Sequence, residues 1–306
     1  MPNKASIRAL QALSSQEIWL SGSKGSIYRS LDGGLSFQNL CPEAYAAYDF
    51  RGIYVFNSKK IIAMSAGLAE EGKAFLLVST DSGITWQKTF YLSDKGVFFD
   101  SIKFINAKEG FVLGDAIDAK PFLLKTKDGG KTWNRIDDLP DILKGEASFA
   151  ASNSCISTYK KCVWFNTQNR VFISKNKGKS WEVRDTPFES GSSVGIFGTH
   201  FFNDKDGVAV GGDYLPSENQ NLLISTTTDG GRTWTENYKG LGLIESVDRV
   251  FEGELILASL QGLLVFRNNQ ITSLSKIPLH VIDCVSNKCF VSGGNGHVAV
   301  YDFIKK

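Results

Sequence analysis

One octet, written five times at nearly even spacing, constrains this chain more than any other feature. It reads SLDGGLSF from residue 30, STDSGITW from 79, TKDGGKTW from 126, SKNKGKSW from 174 and TTDGGRTW from 227. From the third residue of each copy to the third of the next, the steps are 49, 47, 48 and 53 residues. A single pocket needs one set of catalytic groups, so five copies point to architecture instead. A near-constant step of this size marks repeated supersecondary units that must stack, or close into a ring, to bury their faces.

Between octets the text is strand-like, with short runs of Val, Ile, Leu and Phe broken by Gly, Asn, Asp and Ser. One period contains FDSIKFIN, EGFVLGDA, PFLLKTKD and TWNRIDDL. These are four strands, the last two joined by the octet, which is one blade of a β-propeller. Seven second-strand texts can be laid out: EIWLSGS, KIIAMSA, EGFVLGD, KCVWFNT, DGVAVGG, GELILAS and KCFVSGG. The expected fold is therefore all-β, a seven-bladed propeller of four-stranded antiparallel blades forming a single domain over residues 1–306. The last two units lack the octet but keep their strands, in GLLVFRNNQITSL and HVAVYDF. Only about thirteen residues follow the last Gly-rich turn, too few for two further strands. The N-terminal segment around KASIRAL is expected to close the ring by lending a strand, which removes exposed sheet edges.

Each octet position has a physical reason. Gly34, Gly83, Gly130, Gly178 and Gly231 supply the positive φ that a hairpin of this length needs. Asp32, Asp81, Asp128 and Asp229 can accept hydrogen bonds from turn N–H groups and from the following hydroxyl, and Asn176 takes that place in the fourth copy. Phe37, Trp86, Trp133, Trp181 and Trp234 are expected to seal the space between blades. One acid per hairpin is a poor ion site, so no metal is assigned to the octets, and no cofactor is expected.

Composition excludes several classes. Lys and Arg (34) nearly balance Asp and Glu (32), and the basic residues are scattered along the chain, so no footprint for nucleic acid is visible. No apolar run approaches the ~18 residues of a membrane span, and the start lacks the long apolar stretch of a secretory signal. Redox chemistry has no GxGxxG between strand and helix and no His/Cys cluster to rest on. Cys155 with Cys162, and Cys284 with Cys289, bracket residues that read as hairpin tips, so each pair can face across a ladder and form a disulfide. Buried free thiols are the alternative reading. Two disulfides point to an oxidising compartment. The chain is accordingly read as periplasmic or secreted with a leader that is not part of it, cytoplasmic being the alternative, and as a monomer.

The octets resemble Asp-boxes, or BNR repeats, known from sialidases, sortilin-type receptors and the photosystem II stability/assembly factor family of propellers. The fuller blade, in which GVAVGG or FVLGD precedes LL-x-S/T-T-x-DGG-x-TW, is most similar to the last group, over residues 19 to 240. That resemblance implies a propeller whose Asp-boxes lie away from the usual ligand face, and it points to protein partners.

On the opposite face the connections between second and third strands, and between blades, are longer and more polar than closure requires. They include residues 66–75, 114–121 and 211–221. They are expected to gather Asp49, Arg51, Asp100, Asp115, Asp118, Glu146, His200, Asp213 and Tyr214 around one rim. Each has a plainer role as a turn acid, packed histidine or local ion-pair partner. Glu146, set among small and apolar neighbours, is the carboxylate whose burial would favour its protonated form. The sequence favours a non-catalytic scaffold that binds a protein, peptide or glycan on this face. The alternative is a glycoside hydrolase using acids such as Asp100, Glu146 or Asp213. A sialidase needs three arginines on one anion, and nothing before Ser30 supplies the expected arginine segment. The later arginines, Arg135, Arg170, Arg184, Arg232, Arg249 and Arg267, read as belonging mostly to box hairpins or outer strands.

Overall fold

Alternation of apolar residues with turn-forming ones leaves this sequence no long helical stretch, and the structure follows. The computed structural model describes residues 3–215 and 218–304, within which every regular element is a β-strand or a single turn of 3-10 helix. Seven antiparallel sheets follow one another along the chain, each built from strands consecutive in sequence. Their second strands lie where the repeat puts them: Ile18–Gly22, Ile61–Ala66, Gly110–Ile117, Cys162–Asn166, Gly207–Asp213, Glu254–Ser259 and Lys288–Gly293. The fold is an all-β seven-bladed β-propeller. Six blades have four strands, while the seventh shows three among the described residues.

By compactness the chain falls into two units, residues 1–99 with 247–306, and residues 100–246. In the first unit the first strand of blade 1, Ile7–Ala12, pairs with Ile18–Gly22 of its own sheet. The strand expected to be lent to the last blade therefore belongs to the first. The N-terminal segment does close the series, but without joining the last sheet as a strand: the Gly296 N–H donates to the Ala5 carbonyl at 2.6 Å. Ala5, Ile7 and Leu10 pack in one buried cluster with Val281 and Phe290 of blade 7, and the Asp283 carboxylate accepts the Ala12 N–H at 2.7 Å. Phe37 of the first box packs against the same cluster.

The second unit contains blades 3, 4 and 5. Its middle strands are buried along both faces, as in Cys162–Asn166 and Arg170–Ser174, because each sheet is covered on two sides. Trp164 lies flat on Phe201 of the next blade at 3.9 Å between ring centres.

The five boxes share one hydrogen-bonding scheme. In the third, Thr126 Oγ1 donates to Asp128 Oδ1 at 2.8 Å and accepts the Gly130 N–H at 3.0 Å. Asp128 then accepts from the Thr132 N–H and hydroxyl at 3.0 and 2.6 Å. Asn176 repeats the scheme, accepting the Ser180 N–H at 2.9 Å and donating its amide to Ser180 Oγ at 2.7 Å. The box glycines have φ between 71° and 90°, as a residue without Cβ allows. Trp86 packs onto the cluster of Trp19 and Leu40 in blade 1, and Trp181 stands edge-on to Phe111 of blade 3. Trp234 stands edge-on to Phe201 and packs on the cluster of Trp164 in blade 4. These three rings thus lie against the preceding blade, whereas Trp133, expected to do the same, is edge-on to Phe104 of its own blade.

Of the two expected disulfides one forms. Cys284 and Cys289 are direct partners in the ladder and are bonded. Cys155 and Cys162 are free and buried. The register explains it: Cys162 faces Tyr159, while Cys155 precedes the paired strand by one residue and packs in a different core cluster.

Candidate loop-end binding site

Strand direction decides which residues can meet. In blade 5 the first strand, Val194–Phe201, begins opposite Asp213 and ends opposite Gly207, and Gly207 in turn faces Thr227 of the box. Val194, Asp213 and Tyr214 are thus at the loop end, and His200 is at the box end. His200 stacks on Phe202 at 4.7 Å. Six residues of strand, roughly 20 Å at ~3.3 Å each, separate it from Asp213. His200 is therefore not part of the expected rim.

The loop end of the second unit is organised by the longest connection in the chain, residues 136–155 between blades 3 and 4, which contains no regular element. Loops of this length in compact domains are commonly functional. Here the loop is held by a buried ion pair between its own Glu146 and Arg170 of blade 4. Glu146 and Arg170 are 2% and 9% exposed, and Arg170 Nε lies 3.0 and 3.1 Å from the two carboxylate oxygens, with Nη2 also in contact. The Thr167 hydroxyl and the Leu143 N–H also donate to Glu146, and Arg170 Nη2 donates to the Asp141 carbonyl at 3.0 Å. Glu146 is buried as its neighbours suggested, but it is an ion-paired anchor and not a free acid. Arg170, assigned from sequence to the box side, opens the third strand of blade 4 at the loop end. Its position in NTQNR, between second and third strands, was the signal that could have found it.

So anchored, the loop lays Phe149 flat on Phe197 at 4.0 Å and 3° between planes. Tyr214 stands edge-on to both rings, at 6.4 and 6.3 Å. Beside this stack, apolar side chains reach solvent: Tyr214, Leu215 and Leu241 are 47%, 53% and 55% exposed. The turn is fixed by Asp213, whose carboxylate accepts the Leu215 N–H at 2.9 Å and whose N–H donates to the Gly242 carbonyl at 3.0 Å. Pro216 and Ser217 of the 211–221 connection lie outside the described residues.

The other expected rim residues separate into groups. In the first unit Arg51 pairs with Asp49 at 2.9 Å, and its guanidinium lies over Phe98. In the second, Asp100 is 1% exposed and Asp115 partly buried, and burial pushes the Asp115 carboxyl up to about 6. Burial also pushes up the Cys155 thiol, and the negative charges of Asp100 and Asp115 add to this. Asp118 is exposed at the tip of the hairpin in positive φ, a turn acid as its plainer reading had it. No group of three or more His, Cys, Asp or Glu suited to a metal ion occurs among the described residues.

Fold and boxes together define a β-propeller with Asp-box hairpins at one end and a built loop surface at the other. A family model, described as photosynthesis system II assembly factor YCF48, matches residues 67–268, and the chain belongs to that family. No curated protein matches the chain in sequence. Among solved structures it is similar to YCF48 bound to D1 peptide, with a TM-score of 0.68 and 15% identity over 99% of this chain and 94% of that one. YCF48 from Cyanidioschyzon merolae gives 0.68 and 14% identity over 99% and 97%. The RRP9 WD40 repeats give 0.64 and 12% over 96% and 89%. At these identities the likeness concerns the fold.

Proposed function

We propose that this chain is a non-catalytic scaffold that binds a segment of another protein at the loop end of blades 4 and 5. The observation that carries the reading is the anchored aromatic stack of Phe149, Phe197 and Tyr214, continued by the exposed Leu215 and Leu241. A rigid aromatic support beside exposed apolar side chains is what anchors a bound peptide at modest entropic cost. Membership of the YCF48 family, with a solved YCF48 bound to D1 peptide, supports a peptide over a glycan. A photosynthetic client would follow only if the source organism is photosynthetic. Against a glycoside hydrolase, Glu146 is committed to Arg170 and one oxygen of Asp213 to its own turn, so two of the three candidate acids already have structural work. The Cys284–Cys289 disulfide supports an extracytoplasmic site of action.

Panning a displayed peptide library on the whole chain tests this. Selected peptides should lose about tenfold or more in affinity for Tyr214→Ala or Leu241→Ala, the effect of removing an anchor contact, with thermal stability little changed. Peptides that bind both variants as tightly as the parent would place the interface elsewhere. A broad glycoside screen should give no turnover; turnover that vanished in Asp100→Asn or Glu146→Gln would replace the scaffold reading with an enzyme.

A further inference from the structure

The box hairpins differ in one respect that their fastening role does not use. At the variable positions, boxes 1 and 2 carry Leu31, Leu35, Thr80, Ser82 and Ile84, whereas boxes 3 to 5 carry lysines and an arginine. The fourth box also exchanges the aspartate for Asn176, which makes the same internal bonds without the charge. Cations that look scattered in sequence are thereby gathered at the box end of the second unit. Lys125 Nζ donates to the Lys177 carbonyl, and burial first, with the charges of Lys127, Lys179 and Lys177 against the opposing pull of Glu109, pushes the Lys125 ammonium down.

Between the box ends of blades 4 and 5 lies an open groove of about 550 Å³, walled by Lys161, Lys175, Lys205 and Arg232 together with Cys162, Thr228, Asp204 and Asp229. Lys161, Lys175 and Lys205 are exposed and make no ion pair among the described residues. Of the two acids, Asp229 is tied into its box by Thr227, Thr233 and the Arg232 N–H. We propose that this groove binds an acidic segment of a partner protein, whose carboxylates pair with the three free lysines, at a site distinct from the loop-end surface. A groove suits an extended chain better than a flat bilayer. The exposed large apolar residues of the second unit, Leu143, Tyr214, Leu215 and Leu241, belong to its loop-end connections, so the groove offers none to insert into lipid.

The test is a titration of the full chain with a fluorescent oligoglutamate peptide at low ionic strength, followed by anisotropy. Binding should weaken with salt, and it should fall about tenfold in Lys161→Gln/Lys175→Gln/Lys205→Gln, the sum of three exposed ion pairs. A control with the same charge change elsewhere, Lys95→Gln/Lys144→Gln/Lys276→Gln, should lose about twofold or less, and Tyr214→Ala nothing. Absence of binding, or equal weakening by both triple variants, would overturn the proposal. So would vesicles of phosphatidylserine, or DNA, binding with this lysine dependence where the peptide does not.

Discussion

At the scale of single residues, the box acids and Asp115 show one chemical group put to opposite uses. Asp32 is held at about 2, first by the Ser36 hydroxyl, then by the Ser36 N–H and the Ser30 hydroxyl. At Asp128 and Asp229 partial burial pulls upward, but donors from Thr132, Thr126, Thr233 and Thr227 outweigh it, and both also lie at about 2. A carboxyl depressed by folding stabilises the fold above its ordinary value of 3.8 and loses that contribution as pH falls through about 2. Asp115 is raised to about 6, so its contribution is complete below 3.8 and lost as pH rises through about 6. Urea midpoints should therefore drop steeply between about pH 4 and 2, and more gently as pH rises from about 4 to 6. Asp115→Asn should abolish the second slope and leave the first. A variant that retained the upper slope would assign it to another group.

At the scale of elements, the long connection between blades 3 and 4 depends on a charge pair that neither its composition nor its length reveals. Removing Arg170 leaves Glu146 buried without its counter-charge, so Arg170→Met should cost about 3–5 kcal/mol. Adding Glu146→Gln should recover part of that loss, because the stranded charge is gone. Chemical denaturation of the two variants measures both. Hydrogen exchange in residues 136–155 should rise in the single variant, because the loop has no ladder of its own. An Arg170→Met chain as stable as the parent would mean that the pair does not anchor the loop. The aromatic stack was missed in the sequence for a related reason. Phe197 and Tyr214 are set beside each other by the register of the first two strands of blade 5, whereas Phe149 reaches them from the connection between blades 3 and 4, so that only packing between blades completes the stack at 4.0–6.4 Å.

At the scale of the whole molecule, cysteine chemistry distinguishes the expected two bridges from the one found. Alkylation of the denatured, unreduced chain should mark Cys41, Cys155 and Cys162, and reduction should add Cys284 and Cys289, as read by intact mass. The bridge closes a short loop, so replacing both cysteines with serine should cost about 2 kcal/mol. Five alkylated cysteines in chain purified without reductant would remove the support for an oxidising compartment. Charge counted along the chain also averages away the lysines that the hairpins of blades 4 and 5 bring into one groove.

The sequence by itself determined the seven repeated sheets, their second strands and the fastening role of the boxes, and it offered Cys284–Cys289 as one of two candidate pairs. All of these depend on local periodicity, turn chemistry and register within a hairpin. Tertiary structure decided that the first strand stays in its own blade, that His200 sits at the far end of its strand, that Glu146 is neutralised by Arg170, and which cations share a groove. Those outcomes depend on which ends of different blades meet, and strand direction and inter-blade packing fix that while residue spacing within one repeat does not.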